Sequence, residues 1–172
     1  AAALAGENPF HVLRIMVMAA VGTPYDLGMT LVYTTPLIFS GLSVAVAYRA
    51  GLFNIGAEGQ LVLGGMAATA VALRFGSQFP QFASSSSFAP MATGMMLCGL
   101  AAALIGGLTG LIIGYLRARR GSHEVVTSIM VNFLATAITS WLVLEKFHSI
   151  DTQNPETRPV AAAFKALSFG GF

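Results

Sequence analysis

Two short stretches hold most of the polar side chains that could do chemistry in this sequence. The first, the glycine-rich stretch, is residues 49–60, where Asn54, Glu58 and Gln60 lie among three glycines. Three glycines within so few residues disfavour a continuous helix. The stretch lies between two apolar runs of the kind that cross membranes. Irregular backbone at membrane depth is tolerated only where it is buried in protein or lines a wet cavity. The stretch therefore predicts a broken helix or re-entrant turn that shapes a pathway across the membrane. The alternative is a plain turn with Glu58 at a helix N-terminus, where the dipole favours an anion.

The second, the basic stretch, follows a long apolar run. Its candidate residues are Arg117, Arg119, Arg120, Gly121, Ser122, His123, Glu124 and Thr127. We expect Gly121 to end one helix and Ser122 to cap the next, with Glu124 in the first turn. The pattern indicates either an anchor at the membrane surface or a short docking element for a partner. Asn132 and Thr127 lie deeper in the next apolar run, and we expect both to form hydrogen bonds between helices.

The sequence gives little support to other kinds of chemistry. It has no Gly-x-x-x-x-Gly-Lys-Ser/Thr phosphate loop, so we expect neither ATP hydrolysis nor a bound cofactor in this chain. The three histidines lie far apart and have no second ligand three or four residues away, which argues against a metal site. Cys98 lies in an apolar run and is interpreted as a small buried hydrophobic residue. No catalytic residues are predicted.

The amino-acid composition indicates whether these stretches belong to a protein surrounded by water or by lipid. Of 172 residues, 55% are hydrophobic and 9% are charged, against about 25% charged in an ordinary soluble domain. No Asp, Glu, Lys or Arg occurs in residues 27–48, 59–73, 75–116 or 125–144. A soluble fold could not cover its surface with so little charge, and the scattered basic residues form no stripe for nucleic acid. The sequence therefore indicates an integral membrane protein and excludes a cytosolic enzyme, a disordered tail and a nucleic-acid-binding module.

The apolar runs predict an all-α fold, a polytopic helical membrane bundle in one domain, 1–172. A membrane-crossing helix needs about 20 mainly apolar residues. Four such spans are expected, at about 27–48, 57–75, 91–116 and 124–144. Three other segments are expected outside the hydrocarbon: an interfacial helix within 8–24, a serine-rich loop at 84–87 and an external tail at 145–172.

Two further expectations concern packing and orientation. Gly106, Gly110 and Gly114 recur every four residues in the third span, which predicts close helix packing rather than a ligand site. Four arginines fall in the short connections 49–58 and 117–124, so the positive-inside rule places both connections in the cytoplasm. Four spans then put both termini outside. An external N-terminus implies a preceding helix, and we therefore expect the sequence to be a fragment.

Several of these residues resemble a known family. Residues 47–60, Ala-Tyr-Arg-Ala-Gly-Leu-Phe-Asn-Ile-Gly-Ala-Glu-Gly-Gln, closely resemble the signature of permease subunits of bacterial ABC importers for nucleosides and simple sugars. That group belongs to the ribose and branched-chain amino acid permease superfamily. Asn8-Pro9, residues 35–38 and residues 121–132 also resemble the family, in the expected order. The resemblance covers about residues 8–160 and corresponds to the N-terminal half of such a permease.

The resemblance implies a multi-pass protein of the bacterial inner membrane with several partners. Two permease subunits would form the pathway among the membrane lipids, two ABC ATPase subunits would bind ATP and Mg on the cytoplasmic side, and an external lipoprotein would deliver the substrate. Asn54, Glu58 and Gln60 would lie near the substrate pathway. The basic stretch would be the coupling region that receives the motion of the ATPase. No nucleic acid is implied as a partner.

Three alternatives stay open at the level of the sequence. Permeases for branched-chain amino acids share these motifs with those for nucleosides and sugars. An ATP-independent secondary transporter or channel also uses broken helices near the membrane midplane. A non-transporting membrane scaffold is the third, and the polar insert at residues 49–60 makes it less attractive.

Overall fold

The computed structural model describes residue 6 and residues 8–84, 87–149 and 153–164. Its helices are α1 (Pro9–Val21), α2 (Pro24–Arg49), α3 (Ala57–Gln78), α4 (Pro80–Ala83), α5 (Phe88–Arg120) and α6 (Glu124–Glu145), followed by a 3₁₀ turn at Ala162–Phe164. Within these ranges no β-strand is found, and one isolated bridge pairs His148 with Thr157. The predicted all-α membrane fold is confirmed.

The chain divides into two compact units, with the boundary inside α2 between Leu42 and Ser43. In the first unit, the Asn8 side chain caps α1 by accepting a hydrogen bond from the backbone N–H of Phe10 at 3.0 Å. The start of α2 is capped reciprocally: the Thr23 hydroxyl donates to the Asp26 carboxylate at 2.6 Å and accepts from the Asp26 backbone N–H at 3.1 Å. The Thr23–Asp26 cap explains why helix resumes at Pro24 after α1 ends at Val21.

Three helices of the described chain are long and apolar enough to cross a membrane: α2, α5 and α6. Helix α3, at the position of the second predicted span, is not among them, although its 22 residues equal the length of α6. Glu58, Gln60 and Arg74 lower its hydropathy, and its most buried positions are mainly small residues. Helix α3 packs between α5 and α6 in the second unit, so protein covers much of its surface.

Close packing in the second unit depends on small residues. A Cβ at Gly64 of α3 would lie 3.0 Å from the carbonyl oxygen of Ala102 on α5. By contrast, large apolar side chains of the outer faces are uncovered: Leu104 is 71% exposed and Phe133 is 74% exposed. Exposed apolar surface of this extent suits contact with lipid or with other membrane helices.

The connection after α3 is more helical than its composition predicts. Helix α3 continues to Gln78, the short helix α4 begins at Pro80, and α5 begins at Phe88, ahead of Pro90. Proline is tolerated in a first helical turn because the N–H it lacks would have no partner there. Of the predicted serine loop, Ser84 and Ser87 lie outside helices, and the two serines between them lie outside the described residues.

The described part of the predicted tail packs against the helices. Ala163 and Phe164 are buried and form a small core with Ala72 of α3. The Ala163 carbonyl lies so close to Gly94 of α5 that no side chain could be accommodated there. Phe82 of α4 adds an aromatic contact, with its ring centroid 6.4 Å from that of Phe164.

Candidate functional site

The glycine-rich stretch interrupts the helices between Arg49 and Ala57. At the end of α2, Gly51 adopts a φ of +74°, which favours glycine because a side chain is strained there. The backbone N–H of Leu52 donates to the Ala47 carbonyl at 3.0 Å, and that of Gly51 donates to the Tyr48 carbonyl at 3.0 Å. These two bonds are the Schellman pattern that ends a helix. The chain then runs without regular structure until α3 begins.

Asn54 is the centre of a polar cluster inside this interruption. Its amide oxygen accepts from the backbone N–H of Gly56 at 3.1 Å and from the Gln60 amide at 3.2 Å. Its amide nitrogen donates to the Ser43 hydroxyl at 2.9 Å. Ser43, Asn54 and Gln60 are all half-buried. The cluster therefore joins α2, the interruption and α3 through uncharged hydrogen-bonding groups.

The glycines of α5 make room for Gln60. A Cβ at Gly110 would lie 3.2 Å from the Gln60 side-chain nitrogen, and a Cβ at Gly106 would lie 3.2 Å from its backbone carbonyl. Gly114 shares their spacing, yet open space surrounds the position of its Cβ within the described chain. At that level the neighbouring Ile113 is buried instead.

Asn132 of α6 holds the interruption from the other side. Its amide oxygen accepts from the backbone N–H of Gly59 at 2.9 Å, and its amide nitrogen donates to the Ile55 carbonyl at 3.0 Å. The first N–H groups of a helix have no partner within the helix, so Asn132 caps α3 from another helix. Gly59 is required at this contact, because a Cβ there would lie 2.7 Å from the Asn132 amide oxygen.

Glu58 does not join the cluster. It is exposed, in the first turn of α3. The plain-turn interpretation of the glycine-rich stretch places Glu58 at this position, the N-terminus of a helix. Asn54 and Gln60 are brought into contact, and Glu58 is not.

The basic stretch forms a tight connection between α5 and α6. Gly121 has a φ of +62° and ends α5, with its N–H donating to the Arg117 carbonyl at 3.0 Å. Arg117 Nε lies 3.1 Å from the Glu124 carboxylate, and these side chains are 42% and 17% exposed. The guanidinium of Arg117 also donates to the Ser122 carbonyl at 3.5 Å. Arg119 and Arg120 are exposed on the last turn of α5.

Two details of this connection differ from expectation. The residue before α6 is His123 rather than Ser122, and the Ser122 hydroxyl is buried without a hydrogen-bond partner in the described chain. The Thr127 hydroxyl donates to the His123 carbonyl within its own helix, at 3.1 Å, rather than to another helix. The first difference arises because α6 begins one residue later than the serine suggested.

The two stretches meet at one cavity of about 470 Å³. Its lining residues are Tyr48, Gly51, Leu52, Phe53 and Glu124. The end of α2, the glycine-rich stretch and the start of α6 are thus neighbours. A displacement at the start of α6 can be transmitted to the polar cluster over a short distance. Asn132 lies two turns further along the same helix and bonds the backbone of Gly59, which is next to Gln60.

The chemistry available here is hydrogen bonding. No group of three or more His, Cys, Asp or Glu side chains that could hold a metal occurs among the described residues. The sequence did not single out Ser43, which bonds Asn54, or the fully buried Ser128 beside Gly56. In the sequence, each of these two serines could have been recognised only as a polar residue within an apolar run.

Comparison with known proteins identifies relatives with named functions. The family model for the permease component of the branched-chain amino acid transport system matches residues 27–172. A guanosine ABC transporter permease of Bacillus subtilis is 41% identical over 122 residues, covering 71% of this chain and 32% of the relative. A glucose ABC transporter permease of Haloferax volcanii is 34% identical over 136 residues, covering 79% and 33%. A nucleoside ABC transporter permease of Lactococcus lactis is 31% identical over 160 residues, covering 91% and 41%.

The chain spans about a third to two fifths of the length of these curated relatives. No solved structure gives a significant match. The family match and the three apolar helices make the chain part of a multi-pass protein of the cell membrane. The resemblance inferred from the residues is confirmed: the chain belongs to the family of permease components of the branched-chain amino acid transport system.

Proposed function

We propose that this chain is part of a permease subunit of an ABC importer that moves nucleosides or related simple sugars across the bacterial inner membrane. The observation that carries the proposal is the likeness to permeases named for guanosine, nucleosides and glucose. The chain itself supplies no catalysis in this proposal. ATP and Mg are bound by partner ATPase subunits, a second permease subunit completes the pathway, and an external lipoprotein delivers the substrate.

The polar cluster supports a neutral substrate. Ser43, Asn54 and Gln60 offer hydroxyl and amide groups that both donate and accept, and none of them is charged. Sugar and ribose hydroxyls are themselves donors and acceptors, so they can exchange with the bonds that the cluster now makes internally. A branched-chain amino acid would instead need partners for its ammonium and carboxylate groups. We assign Asn54 and Gln60 to the substrate pathway, with Glu58 at its exposed edge.

The basic stretch supports coupling to the ATPase. Arg117 and Glu124 brace the connection, Gly121 fixes its turn, and Arg119 and Arg120 are available to a partner. Because α6 runs from Glu124 to the Asn132 contact, movement of the connection would reach the glycine-rich stretch. Ser122, His123 and Thr127 belong to the same docking element in this proposal.

Uptake measurements test the assignment. In vesicles containing the assembled complex, we expect Asn54→Leu and Gln60→Leu each to lower uptake of labelled guanosine about 5- to 150-fold while the complex still assembles. Removing one partner of a buried hydrogen bond costs about 1–3 kcal/mol, which corresponds to this range. Thr69→Val is the control, since in the described part of the chain its hydroxyl bonds within α3, to the Gly65 carbonyl. Normal uptake in both variants would favour a plain turn, and uptake that persists without ATP would favour a secondary transporter.

A further inference from the structure

Three basic side chains from separate segments line one cavity where α3 and α6 end. The cavity has a volume of about 400 Å³. Arg74 comes from the last turns of α3, Lys146 directly follows α6, and Arg158 lies in the segment after it. Ser77 and the backbone at Gly76 add further polar groups.

These cations have no acidic partner in the described chain. Among the described residues that line the cavity there is no Asp or Glu, and the ion pair of the described chain, between Arg117 and Glu124, lies in the basic stretch. Arg158 uses one N–H to reach the His148 carbonyl, at 3.4 Å. Like charges around one cavity repel each other at short range, so an anion between them would be stabilised.

An apolar cavity adjoins the basic one. It has a volume of about 560 Å³ and shares Arg74, Lys146 and Phe147 with it. Its other lining residues are Ala70, Val71 and Phe75. Ala70 lies about 6 Å before Arg74 along the axis of α3, given a rise of 1.5 Å per residue. Moving along α3 toward its middle, the lining therefore changes from basic to apolar.

We propose that the two cavities together bind an anionic phospholipid. The phosphate of the headgroup lies beside Arg74, Lys146 and Arg158, and the first part of an acyl chain lies along Val71 and Phe75. A free phosphate ion would fill only the basic cavity and leave the apolar one unused. The adjoining apolar lining therefore selects the lipid over the ion. This site is separate from the polar cluster and does not depend on the identity of the transported substrate.

Lipid retention by the assembled complex tests this proposal. The complex, containing the full-length protein in neutral detergent, is equilibrated with phosphatidylglycerol or phosphatidylcholine of equal chain length, and bound lipid is counted by native mass spectrometry. We expect selective retention of phosphatidylglycerol. Each of Arg74→Gln, Lys146→Gln and Arg158→Gln should weaken it about fivefold, since one basic group near a lipid surface contributes about 1 kcal/mol. Lys146→Arg, which keeps the charge, should retain the lipid.

Matched controls separate the site from general attraction. Arg14→Gln removes the same charge from α1, outside both cavities, and should leave retention unchanged. Unchanged thermal melting of each variant without added lipid shows that folding is intact. Equal retention of the two lipids would overturn the proposal, as would an equal loss in Arg14→Gln. Displacement of phosphatidylglycerol by millimolar inorganic phosphate would show that a phosphate ion suffices and would also overturn it.

Discussion

Replacing Asn132 tests whether α6 holds the interruption in the helices. Asn132→Leu removes both hydrogen bonds that the side chain makes, to the Gly59 N–H and the Ile55 carbonyl. Gly59 is buried, so its unpaired N–H should cost about 1–3 kcal/mol. Ile55 is exposed, and its carbonyl can find another partner, so the second loss should add no more than about 1 kcal/mol. We expect the variant to lose about 1–4 kcal/mol of stability.

The assay combines thermal melting of the assembled complex with uptake of labelled guanosine. Asn132→Asp separates the two bonds, because its carboxylate still accepts from Gly59 but cannot donate to Ile55. We expect Asn132→Asp to melt between the wild type and Asn132→Leu, and uptake to fall in the same order. Thr136→Ala, one turn further along α6, removes a bond to the Asn132 carbonyl, the one that its hydroxyl makes among the described residues, and serves as the control. Wild-type melting and uptake in Asn132→Leu would refute the inference that this contact holds the glycine-rich stretch.

Two more predictions concern the contacts around the site. Gly110→Leu should destabilise the protein by about 1–3 kcal/mol, because the leucine side chain would displace Gln60. The control Gly107→Leu, on the open face of α5, should melt at the wild-type temperature. Equal melting temperatures for the two variants would contradict the packing of α5 against Gln60. Glu124→Arg should change stability by less than about 1 kcal/mol, since the pair it breaks is partly exposed, yet lower substrate-stimulated ATP hydrolysis. The exchange Arg117→Glu with Glu124→Arg should restore part of that stimulation, and unaltered stimulation in the single variant would contradict the docking role.

The sequence predicts elements better than it predicts their partners. Uncharged runs and flanking arginines locate the long helices, because lipid excludes charge so strongly that composition alone marks them. Asn132 could likewise be recognised as a polar group in need of a partner. Its partners could not be recognised, since they lie 73 and 77 residues earlier in the chain. Only the packing of α6 against α3 brings them together.

The glycines of α5 show a second limit of prediction. Positions four residues apart on a helix advance by about 40° per step, so Gly106 and Gly114 differ in direction by about 80°. Gly106 and Gly110 therefore face Gln60, and Gly114 does not. The sequence spacing suggests that the three glycines form one packing ridge. However, α3 begins at Ala57, and on the turn of α5 that holds Gly114 it is the buried Ile113 that contacts Gly56, just before α3. Which glycines of α5 contact α3 therefore depends on where α3 starts.

The contact of Asn132 with Gly59 has a consequence for biosynthesis. Gly59 leaves the ribosome 73 residues before Asn132 does. At about 5–20 residues per second, the delay is roughly 4–15 s. During that time α3 can enter the membrane, but its first turn lacks the cap that α6 provides. The glycine-rich stretch can therefore reach its final form only after α6 has been synthesised and has inserted beside α3, which makes the arrival of α6 the step that completes this part of the protein.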